Sequence, residues 1–189
     1  MSDDTPDFIL AGEKVALGPL RCELAPVYAR WVNQVEVRRG LDILGVVTPE
    51  TEEKRADDNI KAGAEREPKV VEFTIYDRSD AAAIGTVGLF GIDHAHGAGQ
   101  LGIAVGERRG QGFGTEATRL ALDYAFHILH LRNVMLETLA WNAGGLKAYE
   151  RAGFRRIGVR RGARMSKGRV TDLVLMDAVP EDFGPSVLG

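Results

Sequence analysis

The sequence predicts one mixed α/β (α+β) domain built around a single central sheet, and three observations carry that prediction. The first is size: 189 residues, 44% hydrophobic and 27% charged, suffice for one well-buried core and are few for two. The second is the order of periodicities, which are helical early, alternating over successive segments, helical again, and alternating towards the end. The third is a cationic, glycine-rich stretch, RRGQGFGT at 108–115, set between an apolar run and an amphipathic helix.

KVALGPLR, Lys14 to Arg21, alternates enough for a first strand, with Pro19 placed near its end. PVYARWVNQVEVRRG then sets Val27, Tyr28, Trp31, Val32 and Val35 at near-helical spacing and stops at Gly40. Thr48, Pro49, Glu50, Glu52 and Glu53 mark the start of a second, mostly solvated helix that runs to Arg66, with carboxylates at the positive end of its dipole. From Lys69 the period changes. KVVEFTIYD puts Val71, Phe73 and Ile75 on one side of a strand; AAIGTVGLFGI and QLGIAVG follow as strands, with DHAHGAG as the turn between them.

GTEATRLALDYAFHILH repeats apolar residues every third or fourth position, from Ala117 to Leu129, which describes an amphipathic helix packed on the sheet. NVMLETLA is the next strand, AGGLKAYERAG a short helix closed by Gly153, and FRRIGVRR with RVTDLVLMDAV a terminal strand pair. Residues 1–12 and 180–189 are expected to be flexible tails of this one domain. Periodicity alone leaves the strand directions open.

Composition excludes several classes. A net charge of -3 argues against a dedicated nucleic-acid binder. Cys22 is the only cysteine, so there is no intrachain disulfide framework and no basis for a cysteine zinc site. The opening MSDDTPDF is acidic and is not followed by an apolar run of membrane length, so a cytoplasmic protein with no membrane partner is expected. His94 and His96 lack a third ligand at recognisable spacing and are read as a polar turn; His127 follows Asp123 by one helical turn as a polar pair, with His130 beside it. No metal is expected.

At a strand-to-helix junction, successive small residues let backbone N–H groups turn inward and join the first orphan donors of the helix in an anion cradle. Arg108 and Arg109 would add bidentate donors for phosphate oxygens, which makes a phosphorylated ligand the natural guest; a solvated surface turn is the other reading. The P-loop pattern is absent. The stretch also comes too late in the strand order for an N-terminal dinucleotide fold.

RGQGFG, with Arg109, Gly112 and Gly114, fits the pattern Q/R-x-x-G-x-G/A, and NAGGLKAYERAGF carries Asn142, Tyr149, Gly153 and Phe154 downstream of it. On these two segments, in order and spacing, the chain resembles the GNAT superfamily of N-acetyltransferases from about Lys14 to Val179. LGPLR, RGQGFGTEA and GRVTDLVLM are most similar to the branch with ribosomal-protein alanine and spermidine acetyltransferases. The resemblance implies a mostly antiparallel sheet with helices on both faces, whose fourth and fifth strands splay apart to hold acetyl-CoA. It places the pyrophosphate on the amides of Arg109, Gly110, Gln111, Gly112, Phe113, Gly114 and Thr115, beside Arg108, and the pantetheine on the backbone of Ile103, Ala104 and Val105. Asn142, Lys147 and Tyr149 complete the implied cofactor-facing set, Asn142 having the N-cap of its own helix as a second role.

Acyl transfer to an amine requires a neutral nucleophile, proximity, stabilisation of the developing oxyanion and a proton for the leaving thiolate. By resemblance Tyr149 supplies that proton; packing of the short helix on the sheet is its other role. Many relatives carry Glu where this chain has Gln100, a neutral amide able to orient water or substrate but unable to serve as an ordinary base. Glu137, Glu72 or a water wire are the alternatives, so the catalytic candidates are Tyr149, Gln100 and Glu137.

The resemblance assigns acceptor choice to the first two helices and their connection, where Trp31 is either a pocket wall or core. The Glu50, Glu52 and Glu53 carboxylates suit a polyamine or merely cap a helix. Arg38 and Arg39, with Arg155, Arg156, Arg160, Arg161 and Arg164, suit an acidic acceptor or a succinyl donor. The implied function is N-acetyl transfer from acetyl-CoA to a primary amine by direct attack in a ternary complex, the acceptor being a small-molecule amine or a protein N-terminus. Succinyl-CoA or another acyl-CoA as donor, a non-catalytic acyl-CoA sensor, and a homodimer are alternatives left open.

Overall fold

The computed structural model describes residues 6–41, 43–166, 168–183 and 186. The chain opens with a short hairpin, Leu10–Ala11 (β1) on Val15–Pro19 (β2). A 3-10 turn at Cys22–Leu24 leads into Ala25–Val32 (α1), Val35–Leu41 (α2) and Pro49–Gly63 (α3). Val70–Asp77 (β3), Ala82–Asp93 (β4) and Ala98–Val105 (β5) form a meander, followed by Phe113–His127 (α4) and Asn133–Leu139 (β6). Ala143–Ala152 (α5), the hairpin Arg155–Ser166 (β7) and Arg169–Ala178 (β8), and Pro180–Phe183 (α6) complete it.

Among the described residues these eight strands make one sheet, ordered β1-β2-β3-β4-β5-β6-β8-β7. Every pairing is antiparallel except β5 with β6, which is parallel and covers only Ala98–Gln100 against Asn133–Met135. Beyond Gln100, β5 stays with β4 as far as Val105, while β6 stays with β8 as far as Leu139. The two strands therefore part. They are the expected fourth and fifth strands, counted one higher because of β1.

The expected amphipathic helix, α4, covers one face: Leu120, Ala121 and Leu122 pack into a core with Leu17, Phe73, Ile75 and Leu89, each such large apolar side chain contributing about 1.5–3 kcal/mol. On the other face Leu20, Tyr28, Trp31 and Ala56 form a second cluster under α1 and α3. β3 is thus buried on both sides, which explains Thr74 in its middle: Tyr28 Oη lies 2.5 Å from Thr74 Oγ1, and that hydroxyl lies 3.2 Å from the Pro19 carbonyl.

Several boundaries differ from the sequence expectation, among them the end of α4, which stops at His127 rather than His130. The single helix expected over 26–40 is broken between α1 and α2, because the Asn33 side chain bonds the Val47 backbone twice, donating to its carbonyl at 2.6 Å and accepting from its N–H at 3.1 Å. The helix expected to reach Arg66 ends at Gly63, and β7 runs on to Ser166. Ordered structure also enters both segments expected as tails, since Leu10 and Phe183 are buried in the core and Arg155 reaches Asp182 at 2.6 Å. Residues 1–5, 184, 185 and 187–189 lie outside the described part of those segments.

Candidate active site

The loop from Val105 to Phe113 is shaped by contacts at both its ends. At the start, the Gly106 and Glu107 N–H groups both donate to the Ile84 carbonyl, at 2.8 and 3.0 Å. Trp31 Nε1 donates to Glu107 Oε1 at 3.1 Å and Arg30 reaches the same oxygen at 2.6 Å, bonds that hold the Glu107 carboxyl below its ordinary pKa. Trp31 is 1% exposed and belongs to the core; it is not a pocket wall. At the far end, Gly112 is the N-cap of α4, at φ 91° and with no side-chain cap. A Cβ at Gly110 or Gly112 would meet nothing within 4 Å, whereas one at Gly114 would stand 3.2 Å from Val105 Cγ2. The first donors of α4 thus emerge beside two cleared glycines, and these residues fit an anion such as a pyrophosphate.

The two arginines separate. Arg108, at φ 54°, turns back to pair with Asp77 and, at 2.6 Å, with Asp80. These bonds raise the Arg108 pKa, and both carboxyls are held low, Asp77 first by the Ser79 N–H and Asp80 first by Arg108. Arg108 therefore fastens the loop to the turn after β3. Arg109 donates through Nε to the Val105 carbonyl at 2.6 Å and through Nη2 to Gln34. Asp77, Asp80, Glu107 and Gln34 are parts of this site that the sequence reading missed, because each lies far along the chain from its partner or looks like an ordinary surface residue.

The Val105 carbonyl that accepts from Arg109 points away from β4. In an antiparallel ladder the backbone groups of alternate residues face alternate neighbours, so Ile103 also turns its N–H and C=O to the gap while Ala104 turns its own to β4. Among the described residues, β5 therefore offers one edge without a strand partner between Gln100 and the loop.

Around the gap, Gln100 is exposed at the last position where β5 and β6 pair, and Glu137 stands two residues past the fork on β6. Tyr149 on α5 packs edge-on to Phe154 with ring centroids 6.2 Å apart; its hydroxyl makes no hydrogen bond among the described residues, and burial pushes the phenol above its ordinary pKa. Asn142 is the N-cap of that helix, accepting from Gly145 N–H at 3.1 Å and donating to Thr138 Oγ1 at 3.2 Å, so its side chain ties α5 to β6. Lys147 is exposed on α5. Glu72 is enclosed on β3 and bonded by Arg55 and by Asn59 at 2.7 Å, a structural arrangement.

Between α2, β6 and the β7–β8 hairpin lies a cleft of about 140 Å³, lined among others by Arg39, Leu41, Glu137, Arg164, Ser166 and Leu173. A second, open cleft of about 330 Å³ between α1 and α3 is lined by Cys22, Glu23, Glu50 and Glu53, while Glu52 is buried against Arg55 at 2.7 Å. His94 meets the Pro68 carbonyl at 2.9 Å, His96 pairs with Asp93 at 2.9 Å, and His127 with the buried Asp123 at 2.6 Å. Among the described residues no group of three or more His, Cys, Asp or Glu side chains is placed to hold a metal, and no helix is long and apolar enough to cross a membrane.

Comparison with known proteins converges on one family. The model of the acetyltransferase (GNAT) domain matches residues 14–155. An uncharacterized N-acetyltransferase of Bacillus licheniformis is 26% identical over 90% of this chain and 96% of its own. A probable N-acetyltransferase of Bacillus subtilis is 40% identical over 47% of this chain and 50% of its own. Among solved structures, the spermidine N-acetyltransferase of Vibrio cholerae in complex with CoA and spermine superposes with a TM-score of 0.81 at 21% identity, covering 91% of this chain and 99% of that one. The alanine acetyltransferase of a ribosomal protein from Vibrio fischeri gives 0.80 at 20% identity, with 95% and 100% covered. With its splayed strands, its glycine loop and a family model spanning most of its length, the chain belongs to the GNAT acetyltransferases.

Proposed function

We propose that the chain transfers an acetyl group from acetyl-CoA to a primary amine in a ternary complex, with CoA lying where β5 and β6 part. The observation that carries this reading is the meeting of two features at one place: the uncapped, glycine-cleared start of α4 and the unpaired edge of β5 just before it. The amides of Gly110 to Thr115 are the donors for the pyrophosphate oxygens, and the Ile103 and Val105 backbone is the edge to which pantetheine amides add like a further strand. Arg109 exchanges its Val105 and Gln34 contacts for a phosphate; Arg108 acts by fixing the loop. The CoA complex of the Vibrio cholerae relative supports the co-substrate.

Bound acetyl-CoA supplies an acyl thioester, at whose carbonyl carbon the amine forms a C–N bond as the C–S bond breaks. Tyr149 gives the departing sulfur its proton, a role suited to a phenol that burial keeps protonated and whose hydroxyl has no competing partner among the described residues. Gln100 at the fork orients the amine or a water but takes no proton, so the amine loses its proton through water, with Glu137 beside the fork.

Thiol release from acetyl-CoA and succinyl-CoA, measured with a panel of small amines and N-terminal peptides, tests this. Amine-dependent release with acetyl-CoA as the better donor is expected. A higher kcat/KM for succinyl-CoA reassigns the donor, and release that no amine stimulates contradicts transfer.

A further inference from the structure

Their partners sort the arginines of α2 and the terminal hairpin. Arg38 donates to Asn33 Oδ1 at 3.1 Å and to the Leu44 carbonyl at 2.7 Å, Arg155 pairs with Asp182 at 2.6 Å, and Arg156 pairs with Glu150 at 2.9 Å. Arg39 lines the cleft beside the fork, opposite Arg164, which donates to the Ala163 carbonyl at 3.1 Å and lies 3.9 Å from the Glu137 carboxylate. Ser166 adds an enclosed hydroxyl with no hydrogen-bond partner among the described residues. Among the described lining residues two guanidiniums and an unsatisfied hydroxyl accompany a single carboxylate.

We propose that the acceptor is a small zwitterion, an amino-acid-like molecule that carries a carboxylate close to its amine. Arg39 and the Ser166 hydroxyl take the carboxylate, for which a guanidinium fork is the matching donor, and Glu137, beside Arg164 on the same wall, draws the amine towards the fork. An enclosed hydroxyl left without a partner is costly, and a ligand oxygen removes that cost. A polyamine is disfavoured by the same charges: it brings several cations next to Arg39 and Arg164, with Glu137 the one carboxylate among the described lining residues to compensate. This inference rests on the acetyl transfer proposed above and narrows its acceptor.

The test compares each acid with its own carboxamide, with rates referred to the neutral-amine fraction because amidation lowers the pKa of the adjacent amine. kcat/KM is measured for the common amino acids and β-alanine, for their carboxamides and for spermidine, with the wild type and with Arg39→Gln. The best acid is expected to exceed its own amide by about 10- to 100-fold, the size of effect that one charged hydrogen-bonded group supplies, and Arg39→Gln to reduce that ratio about tenfold. Equal values for acid and amide, a ratio unchanged in Arg39→Gln, or spermidine as the better acceptor overturns the inference and leaves acetyl transfer standing. If no amine stimulates thiol release, the transfer reading is the one that fails, and calorimetry of the CoA-loaded protein with the same pairs still decides the inference: tighter binding of the acid supports it, and equal or absent binding overturns it.

Discussion

The indole of Trp31 lies so close on Gly106 that a Cβ added there would stand 2.1 Å from Trp31 Cγ. This contact joins α1 to the first residue of the glycine loop, and the Glu107 bonds to Trp31 and Arg30 reinforce it. Gly106→Ala should therefore lower unfolding stability by about 1–3 kcal/mol, the usual cost of overpacking a dense site. Denaturant titration measures it. In a double mutant with Trp31→Phe the losses should be less than additive, because both changes act on one contact.

Arg108 and Arg109 are adjacent, yet their partners predict opposite phenotypes. Arg108→Gln should reduce stability more than Arg109→Gln, and Arg109→Gln should weaken acetyl-CoA binding more, the two quantities being read by denaturant midpoint and calorimetry. The Arg108 pairs also have a pH signature. Asp77 and Asp80 have lowered native pKa values, so their contribution is fully present above the unfolded carboxylate value of about 4 and is lost as pH falls through the native one. Arg108→Gln should flatten that acid limb.

Tyr28 predicts the alkaline limb. Burial pushes its phenol up to about 12, against the lowering effect of its bond with Thr74. A raised native pKa contributes stability that is complete below the unfolded value of about 10 and is lost as pH climbs to 12, about 2–3 kcal/mol over the window. Tyr28→Phe should lose less stability than the wild type across that range.

Much of this molecule was legible in its sequence, for local reasons. The apolar spacing of Ala117 to Leu129 gave α4, Thr48 and Pro49 gave the start of α3, with Thr48 Oγ1 accepting from Thr51 N–H at 3.3 Å, and Gly112 marked the loop where φ is positive. What stayed hidden depends on distance along the chain. Nothing near Asn33 signals that it will bind Val47 and break a helix, and nothing near Arg108 signals that Asp77 and Asp80 will claim it before a phosphate does. Glu72 reads in the sequence as a strand carboxylate open to a base role, and in the fold Arg55 and Asn59 enclose it. The cleft with Arg39, Glu137 and Arg164 unites three separate elements and existed in the sequence only as scattered charge.

Tyr149→Phe removes one hydroxyl and little volume. Turnover should fall on the order of 10²-fold with acetyl-CoA affinity nearly unchanged, as expected for loss of a general acid. Because burial raises the phenol above its ordinary value near 10, the wild-type rate should show no loss from Tyr149 ionisation below that pH. Unchanged turnover at saturating acetyl-CoA, with chemistry rate-limiting, would remove the proton-donor role.

In the proposed complex acyl-CoA lies on the free edge of β5 and on the amides that open α4. Amides drawn into hydrogen bonds with a ligand are protected, so residue-resolved hydrogen exchange with and without acetyl-CoA reads that binding mode. New protection is expected at Ile103, Val105 and Gly110 to Thr115, with β2 and β3 unchanged. Protection confined to the acidic cleft between α1 and α3, or binding that leaves Ile103 and the loop exchanging as before, would contradict it.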